Sequence, residues 1–488
     1  MNLSKSKYCN GIQCNKILWL DKYKSEYREE VNNEPVLDNG TKVGELAKRL
    51  FGEYIDINFD KNLNNMIKDT NKALENENAI ITEASFNINN NFCSVDILKK
   101  IGNNYEIYEV KSSTSVHDIY KDDISYQVYV LNSGGYKVAK ACIVHINQDY
   151  VRQGELELDK LFVIEDVTDI AYSKQEEVKN KILEINSTVE NEKEPDIDIG
   201  MHCVTPYDCP YFKYCSKDLP DNNVFKIRRM RNSSKFKLYH EGIYKYEDLL
   251  KEDIDKKFKQ QIEFELFDRN DYINKNKIKD FLDTLSYPLY FLDFETYQES
   301  IPQYDGIKPY MQIPFQYSLH YIEKENGELY HKEFLAEASI DPRRKLAERL
   351  VMDIPKNVCI LAYNMMFEKM VIKNLSSLYP DLSNHLMNIY NNMRDLMIPF
   401  KNRYYYSRNM FGSYSIKYVL PSLFPNDPSL DYHNLEGVHN GSEAMDTYAN
   451  LANYSKEEQE KIRWNLLRYC ELDTYAMVKI YKKLKEIK

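Results

Sequence analysis

The chain has 488 residues, room for two or three domains, and a 43% apolar content typical of a globular protein. It has no uninterrupted apolar run long enough to span a bilayer, and its polar start Met1-Asn-Leu-Ser-Lys-Ser-Lys7 is unlike a signal peptide, so a soluble cytoplasmic protein without a membrane partner is expected. A formal charge of −11 excludes a protein coated in basic surface while leaving room for local basic patches.

In chain order, residues 1–217 alternate helices and strands. Residues 43–51 carry helical apolar spacing. Strands are predicted over 79–88, 92–99 and 105–112, the last two joined by the turn Lys100-Ile-Gly-Asn-Asn104. A helix over 120–131 and a strand over 137–146 come next. Residues 174–195 are so charged that an exposed helix and a loop are expected. Residues 218–284 read as a helical connector, basic at Lys226-Ile-Arg-Arg-Met-Arg231, where Lys226, Arg228, Arg229 and Arg231 could meet phosphates. From 285 to 488, strands over 288–295, 313–322 and 357–363 precede a mostly helical tail, which suits an α/β domain with a mixed sheet.

Chemistry-bearing residues concentrate in three places. In the first region, Asp96 lies in the middle strand and Glu109-Val-Lys111 closes the third. Residues two apart share a strand face, so Glu109 and Lys111 point together and the hairpin can bring Asp96 beside them. Two acids holding a metal, with a lysine near the attacking water, is a phosphodiesterase arrangement. This pattern resembles the PD-(D/E)xK nucleases of the restriction-endonuclease-like fold, and especially their RecB-like branch. That resemblance makes Gln127, in Ser125-Tyr-Gln-Val-Tyr129, the branch's helical glutamine. Glu45 and Glu83 are further acidic candidates. Lys48 stands about where the branch often carries a ligating histidine.

Nine cysteines in a cytoplasmic chain are unsuited to structural disulfides. Cys93, Cys142, Cys359 and Cys470 lie in apolar segments and read as core residues. Cys203, Cys209 and Cys215 instead recur with five residues between neighbours, without the Cys-x-x-Cys of a zinc knuckle. Cys14 is the preferred fourth member and Cys9 its competitor. One early cysteine and three late ones resemble the iron–sulfur nucleases, in which a 4Fe-4S cluster pins the two ends of the domain; zinc is the alternative.

Near the end, Asp293 and Glu295 share one face of a buried strand in Leu289-Tyr-Phe-Leu-Asp-Phe-Glu295. Glu368 begins a helix after the strand at 357–363. Tyr469 and Asp473 lie four apart on the last helix, hence on one side. Such carboxylates can hold two divalent cations, Mg²⁺ or Mn²⁺, for phosphodiester hydrolysis. Over 285–488 the chain resembles the DnaQ-like (DEDD) exonucleases of the RNase H-like fold. By that resemblance Asp293, Glu295, Glu368 and Asp473 are metal ligands and Tyr469 orients the attacking water. Glu368 departs from the family's usual Asp, and Asp395 is a weaker supporting candidate.

Together the halves resemble an uncharacterised bacterial family with this domain order: a RecB-like domain with a cysteine-ligated cluster (1–217), a connector (218–284) and a DnaQ-like domain (285–488). The expected activity is metal-dependent hydrolysis of nucleic acid, DNA first, 3′ to 5′ at the C-terminal site, in repair or defence. The alternatives are a nucleic-acid-binding scaffold with one inactive site, or a subunit working with a helicase.

Overall fold

The computed structural model describes residues 2–30 and 34–487. The chain forms two compact units, residues 1–219 with 299–310, and residues 220–298 with 311–488. Both are α/β units built on mixed sheets. No helix among the described residues is long and apolar enough to cross a membrane.

The first unit contains strands β1 (Leu3–Ser4), β2 (Ile55–Asp56), β3 (Asn78–Ile88), β4 (Asn91–Ile101), β5 (Asn104–Lys111), β6 (Lys137–Ile146) and β7 (Phe162–Asp166). Their order is β2-β3-β4-β5-β6-β7, with β1 parallel to β4 at one end. Strands β3, β4 and β5 form an antiparallel meander. Its first turn is Asn89-Asn90, both at positive φ (51° and 63°), the conformation that a tight hairpin demands and that Asn tolerates. Asn89 and Asn90 thus serve as turn residues. The second turn uses Gly102 at φ 58°.

Helices α1 (Lys5–Gln13), α2 (Asn15–Tyr23), α3 (Glu34–Ala47), α4 (Asp118–Ser133) and α5 (Gln175–Glu190) accompany this sheet. The Ser4 hydroxyl caps α1 by accepting from the Lys7 N–H at 3.3 Å. Helix α4 makes the crossover that lets β5 and β6 run parallel. The helix predicted over 43–51 starts earlier, at Glu34, and tightens into a 3₁₀ turn over Lys48–Phe51. The expectation of an exposed helix near 174 needs correcting. Val178, Ile182, Ile185 and Val189 of α5 are all buried, because one apolar stripe at helical spacing docks a helix whose other faces stay charged.

In the second unit, β8 (Tyr272–Ile273) and β14 (Tyr405–Tyr406) form a short ribbon. The main sheet comprises β9 (Leu289–Tyr297), β10 (Ile313–Ile322), β11 (Leu329–Leu335), β12 (Cys359–Ala362) and β13 (Met393–Asp395), in the order β11-β10-β9-β12-β13. The first two pairings are antiparallel and the last two parallel. Helices α6 (Met366–Leu378), α7 (Ile416–Leu423) and α8 (Lys456–Ile487) surround the carboxyl-bearing strand ends or pack on the sheet beside them.

Strand β9 is apolar on both faces because both are covered. Leu289 and Phe291 share a core with Leu472, Ala476 and Ile480 of α8. Tyr290, Leu292 and Phe294 pack instead with Leu346, Val371 and Leu375. The stretch 220–284 lies within this unit and has its own small core of Val224, Ile227, Tyr246, Leu249 and Ile262. Two of its basic residues are engaged there. Arg228 donates to the Tyr418 hydroxyl at 2.6 Å, and the Arg229 guanidinium sits 3.6 Å from the Tyr414 ring centroid.

Candidate functional site

The period of two along β9 places Asp293 and Glu295 in the same row as Leu289 and Phe291, the row that faces α8. Ligand atoms of Asp293, Glu295 and Cys470 lie within 4.8 Å of one another. The Cys470 thiol is 3.9 Å from Asp293 Oδ2; burial, then the carboxylates around it, keep it protonated. Asp473, one helical position past Leu472, accepts from the Tyr432 hydroxyl at 2.6 Å. Glu368 stands in the first turn of α6, where β12 ends, so helix and parallel strand deliver it to the carboxyl edge of the sheet. It is 3% exposed, and its Oε2 is buried without a hydrogen-bond partner.

The electrostatics reflect four acids held close together, Glu295 and Glu368 buried and Asp293 and Asp473 half-buried. Burial lifts Asp293 well above the carboxylate range, and Asp473, Glu295 and Glu368 lift it further. Glu295 rises through burial and then Asp473, with Lys417 of α7 opposing. Burial raises Asp473 to about 6 despite the Tyr432 and Tyr469 hydroxyls and Lys417. Glu368 is pushed up to about 8, chiefly by burial. An orphaned carboxylate oxygen beside three other acids, Glu295 buried and Asp293 and Asp473 half-buried, fits a hard divalent cation, which would stabilise all four as anions. Asp395 is committed elsewhere: its Oδ1 accepts from the Asn364 and Met397 N–H groups at 2.9 and 3.0 Å, fixing the turn where α6 begins.

Glu368 makes stability depend on pH. Its ordinary value is 4.5 and its folded value about 8, so the folded chain holds this proton more tightly. The resulting stability is full below the ordinary value and is lost as pH rises through the folded one. In EDTA, the Tm is expected to fall between these two values, less steeply in Glu368→Gln, and Mn²⁺ is expected to restore it at the alkaline end. A metal-free Tm with the same pH slope in wild type and Glu368→Gln contradicts this.

In the first unit, a cavity of about 570 Å³ is lined by Lys5, Glu83, Asp96, Glu109, Lys111 and Asp123, among others. Lys111 Nζ lies 2.7 Å from Glu109 and 2.8 Å from Asp123. Gln127 Nε2 donates to Glu109 at 2.7 Å and to Asp123 at 3.1 Å. Asp96 Oδ2 accepts from the Val110 N–H at 2.7 Å. Lys5 Nζ reaches between the acids, 3.2 Å from Asp96 and 3.0 Å from Glu109. Glu83 sits at a positive φ of 56° on β3, opposite the Asp96 region, and burial followed by Asp96 raises it to about 7. Glu45 and Lys48 line the same cavity as an ion pair of 2.7 Å, with Asp56 on the other side of Lys48 at 3.0 Å.

Cys14, Cys203, Cys209 and Cys215 gather around Trp19, Tyr211 and Tyr214, and the Cys209 N–H bonds the Cys203 carbonyl at 2.8 Å. Burial, reinforced by the other three sulfurs, lifts Cys203 to about 12, and Cys209 reaches about 11. Four thiols whose thiolate forms would repel one another fit a metal centre, which would take them as thiolates. Cys9 faces the carboxylate cavity instead.

Comparison with known proteins adds one match. Residues 290–415 are similar to a family described as a domain of unknown function, DUF2779. That span holds Asp293, Glu295, Glu368 and Asp395 and stops short of Tyr432, Tyr469 and Asp473. No curated protein and no solved structure matches the chain.

Four functional candidates in these sites escape sequence reasoning. Lys5 looks like a solvated terminal lysine until β1 pairs with β4 and carries it to the cavity. Asp123 has a usable signal, since it lies one turn before Gln127 on the same helix face. Tyr432 and Lys417 reach Asp473 and Glu295 from segments with no pattern of their own.

Proposed function

We propose that the chain is a metal-dependent nuclease with two sites, hydrolysing phosphodiester bonds of nucleic acid, DNA first, and removing nucleotides 3′ to 5′ at the site of the second unit. The observation that carries this reading is the convergence of Asp293, Glu295, Glu368 and Asp473, from one strand and two helices, into a half-buried and partly unsatisfied cluster. The mixed sheet with two acids on its central strand supports an RNase H-like, DnaQ-type unit. The meander bearing Asp96, Glu109 and Lys111, with Gln127 behind it, supports a RecB-like PD-(D/E)xK unit.

At the second-unit site, two Mg²⁺ or Mn²⁺ ions would stabilise the attacking and leaving oxygens. Asp293, Glu295, Glu368 and Asp473 would hold them. Tyr469 stays protonated, since burial and the acids raise it far above its usual range, so its O–H can orient the attacking water. Lys417 supplies a cation for the substrate phosphate. In the first unit, Asp96 and Glu109 would hold metal, Gln127 keeps Glu109 in place, and the Lys111 ammonium would stabilise the charge that develops as water attacks. The four cysteines would hold a 4Fe-4S cluster. Zinc is the alternative, since thiolate sites accept either metal.

The test is purified protein on end-labelled single- and double-stranded DNA and RNA with Mg²⁺ or Mn²⁺. Lys111→Ala is expected to lower cleavage from the first-unit site by about 100-fold or more, the scale of a lost group that stabilises developing charge. Absence of cleavage by wild type, or unchanged cleavage by Asp293→Ala with Lys111→Ala, sinks the enzyme reading. One observation favours a second reading for the first unit. Lys5 fills the space between Asp96 and Glu109 with an ammonium, which favours a unit that would grip nucleic acid without cutting it. Under this reading Lys5→Ala strengthens Mn²⁺ binding there, measured by calorimetry in an Asp293→Asn background, and unchanged affinity rejects it.

A further inference from the structure

A separate cluster in the second unit takes no part in the proposed hydrolysis. The β10–β11 register sets His320 directly opposite His331, with ring centroids 4.4 Å apart. Glu471 of α8 completes the group, and one ligand atom from each of the three lies within 4.8 Å of the others.

The hydrogen bonds around the two rings are informative. His320 Nδ1 is 2.8 Å from the Thr474 hydroxyl, and His331 Nε2 is 2.9 Å from the Ser318 hydroxyl. Each imidazole is thus fixed through one nitrogen, which leaves His320 Nε2 and His331 Nδ1. His331 Nδ1 stands 4.0 Å from Glu471 Oε1, too far for a hydrogen bond. Orientation of a ring through its second nitrogen is how proteins prepare histidines as metal ligands. Burial and the neighbouring His331 hold His320 neutral, its pKa lowered to about 3. His320 is 4% exposed, whereas the His331 and Glu471 side chains keep 24% and 29% exposure, so an ion has a path in. The Glu333 carboxyl lies near both His331 and Glu471, and Arg468 of the same helix pairs with Glu471 Oε2, which leaves Oε1 toward the rings.

We propose that His320, His331 and Glu471 form a binding site for one borderline divalent cation, zinc being the best fit, that clamps β10 and β11 to α8. Two imidazoles and one carboxylate suit zinc and disfavour magnesium, which prefers oxygen ligands. Helix α8 also carries Tyr469 and Asp473. The clamp would fix the helix from which those residues project, as a structural site rather than a reacting one. The inference stands whether or not the carboxylate cluster hydrolyses anything.

The probe is Zn²⁺ itself, titrated at neutral pH into full-length anaerobically prepared protein freed of loosely bound metal by EDTA. Wild type and Asp293→Asn are both expected to bind this equivalent and to gain Tm from it. His331→Gln is expected to lose one equivalent and the associated rise in Tm. Glu471→Gln, at a partly exposed position that leaves both rings in place, is expected to bind at least about tenfold more weakly. Cu²⁺ in the same site should show two coordinated imidazoles by pulsed electron paramagnetic resonance, and neither variant perturbs the thiol site. Equal zinc stoichiometry and affinity in wild type, His331→Gln and Glu471→Gln overturns the proposal, as does a Cu²⁺ spectrum without imidazole nitrogens.

Discussion

Asp293→Asn is expected to lower kcat for 3′ to 5′ hydrolysis about 1000-fold or more while leaving the fold intact. The substitution is nearly isosteric, and it removes the charge from the acid on which three others converge. Metal-borne stabilisation of transition-state charge amounts to several kcal/mol, and each 1.4 kcal/mol is a factor of ten. The sign for stability is opposite. Without metal, this half-buried carboxylate repels Asp473, Glu295 and Glu368 when charged, so the metal-free variant should melt at or above the wild-type temperature. Loss of activity with a retained or raised Tm in EDTA is thus the expected signature. A variant that keeps a tenth of wild-type kcat removes Asp293 from the metal-binding set.

The second large effect concerns the thiols. Cys209→Ser should abolish the brown colour of an anaerobic preparation and lower the Tm of the first unit by about 10 °C or more. Cys14 and Cys215 lie some 200 residues apart in the chain, so a centre that joins them closes a long loop, and its binding free energy is folding free energy. For a unit of this size each kcal/mol shifts Tm by about 2–4 °C. Iron and sulfide analysis with visible absorbance checks the first part, and calorimetry the second. A colourless wild-type protein holding one zinc per chain replaces the cluster with zinc. An unchanged Tm in Cys209→Ser removes the structural role altogether.

Legibility from residues alone differs by kind. Asp293 and Glu295 are readable because a strand repeats every two residues and the surrounding run is apolar on both faces. Glu368 is readable because strand-then-helix punctuation places an acid in a first helical turn. The stripe on α5 misleads: four apolar residues in a charged stretch do not stand out by composition, yet at i, i+4, i+7 and i+11 they bury a helix. Tyr432, Lys417 and Lys5 are unreadable for a different reason. Their contacts span 41 residues for Tyr432 to Asp473 and 91 for Lys5 to Asp96, and no local period encodes a meeting of that range. The His320–His331 pair lies between, since two strands are predictable in outline but only their register sets the rings opposite one another.

The most direct test of the central claim is anomalous diffraction from crystals of the protein soaked in Mn²⁺ at alkaline pH, where Glu368 and Asp473 are ionised. The account predicts Mn²⁺ peaks bounded by Asp293, Glu295, Glu368 and Asp473 and absent from Asp293→Asn crystals. A carboxylate cluster that stays free of manganese in the wild-type crystal, with its acids still protonated and packed as a dry core, would contradict it.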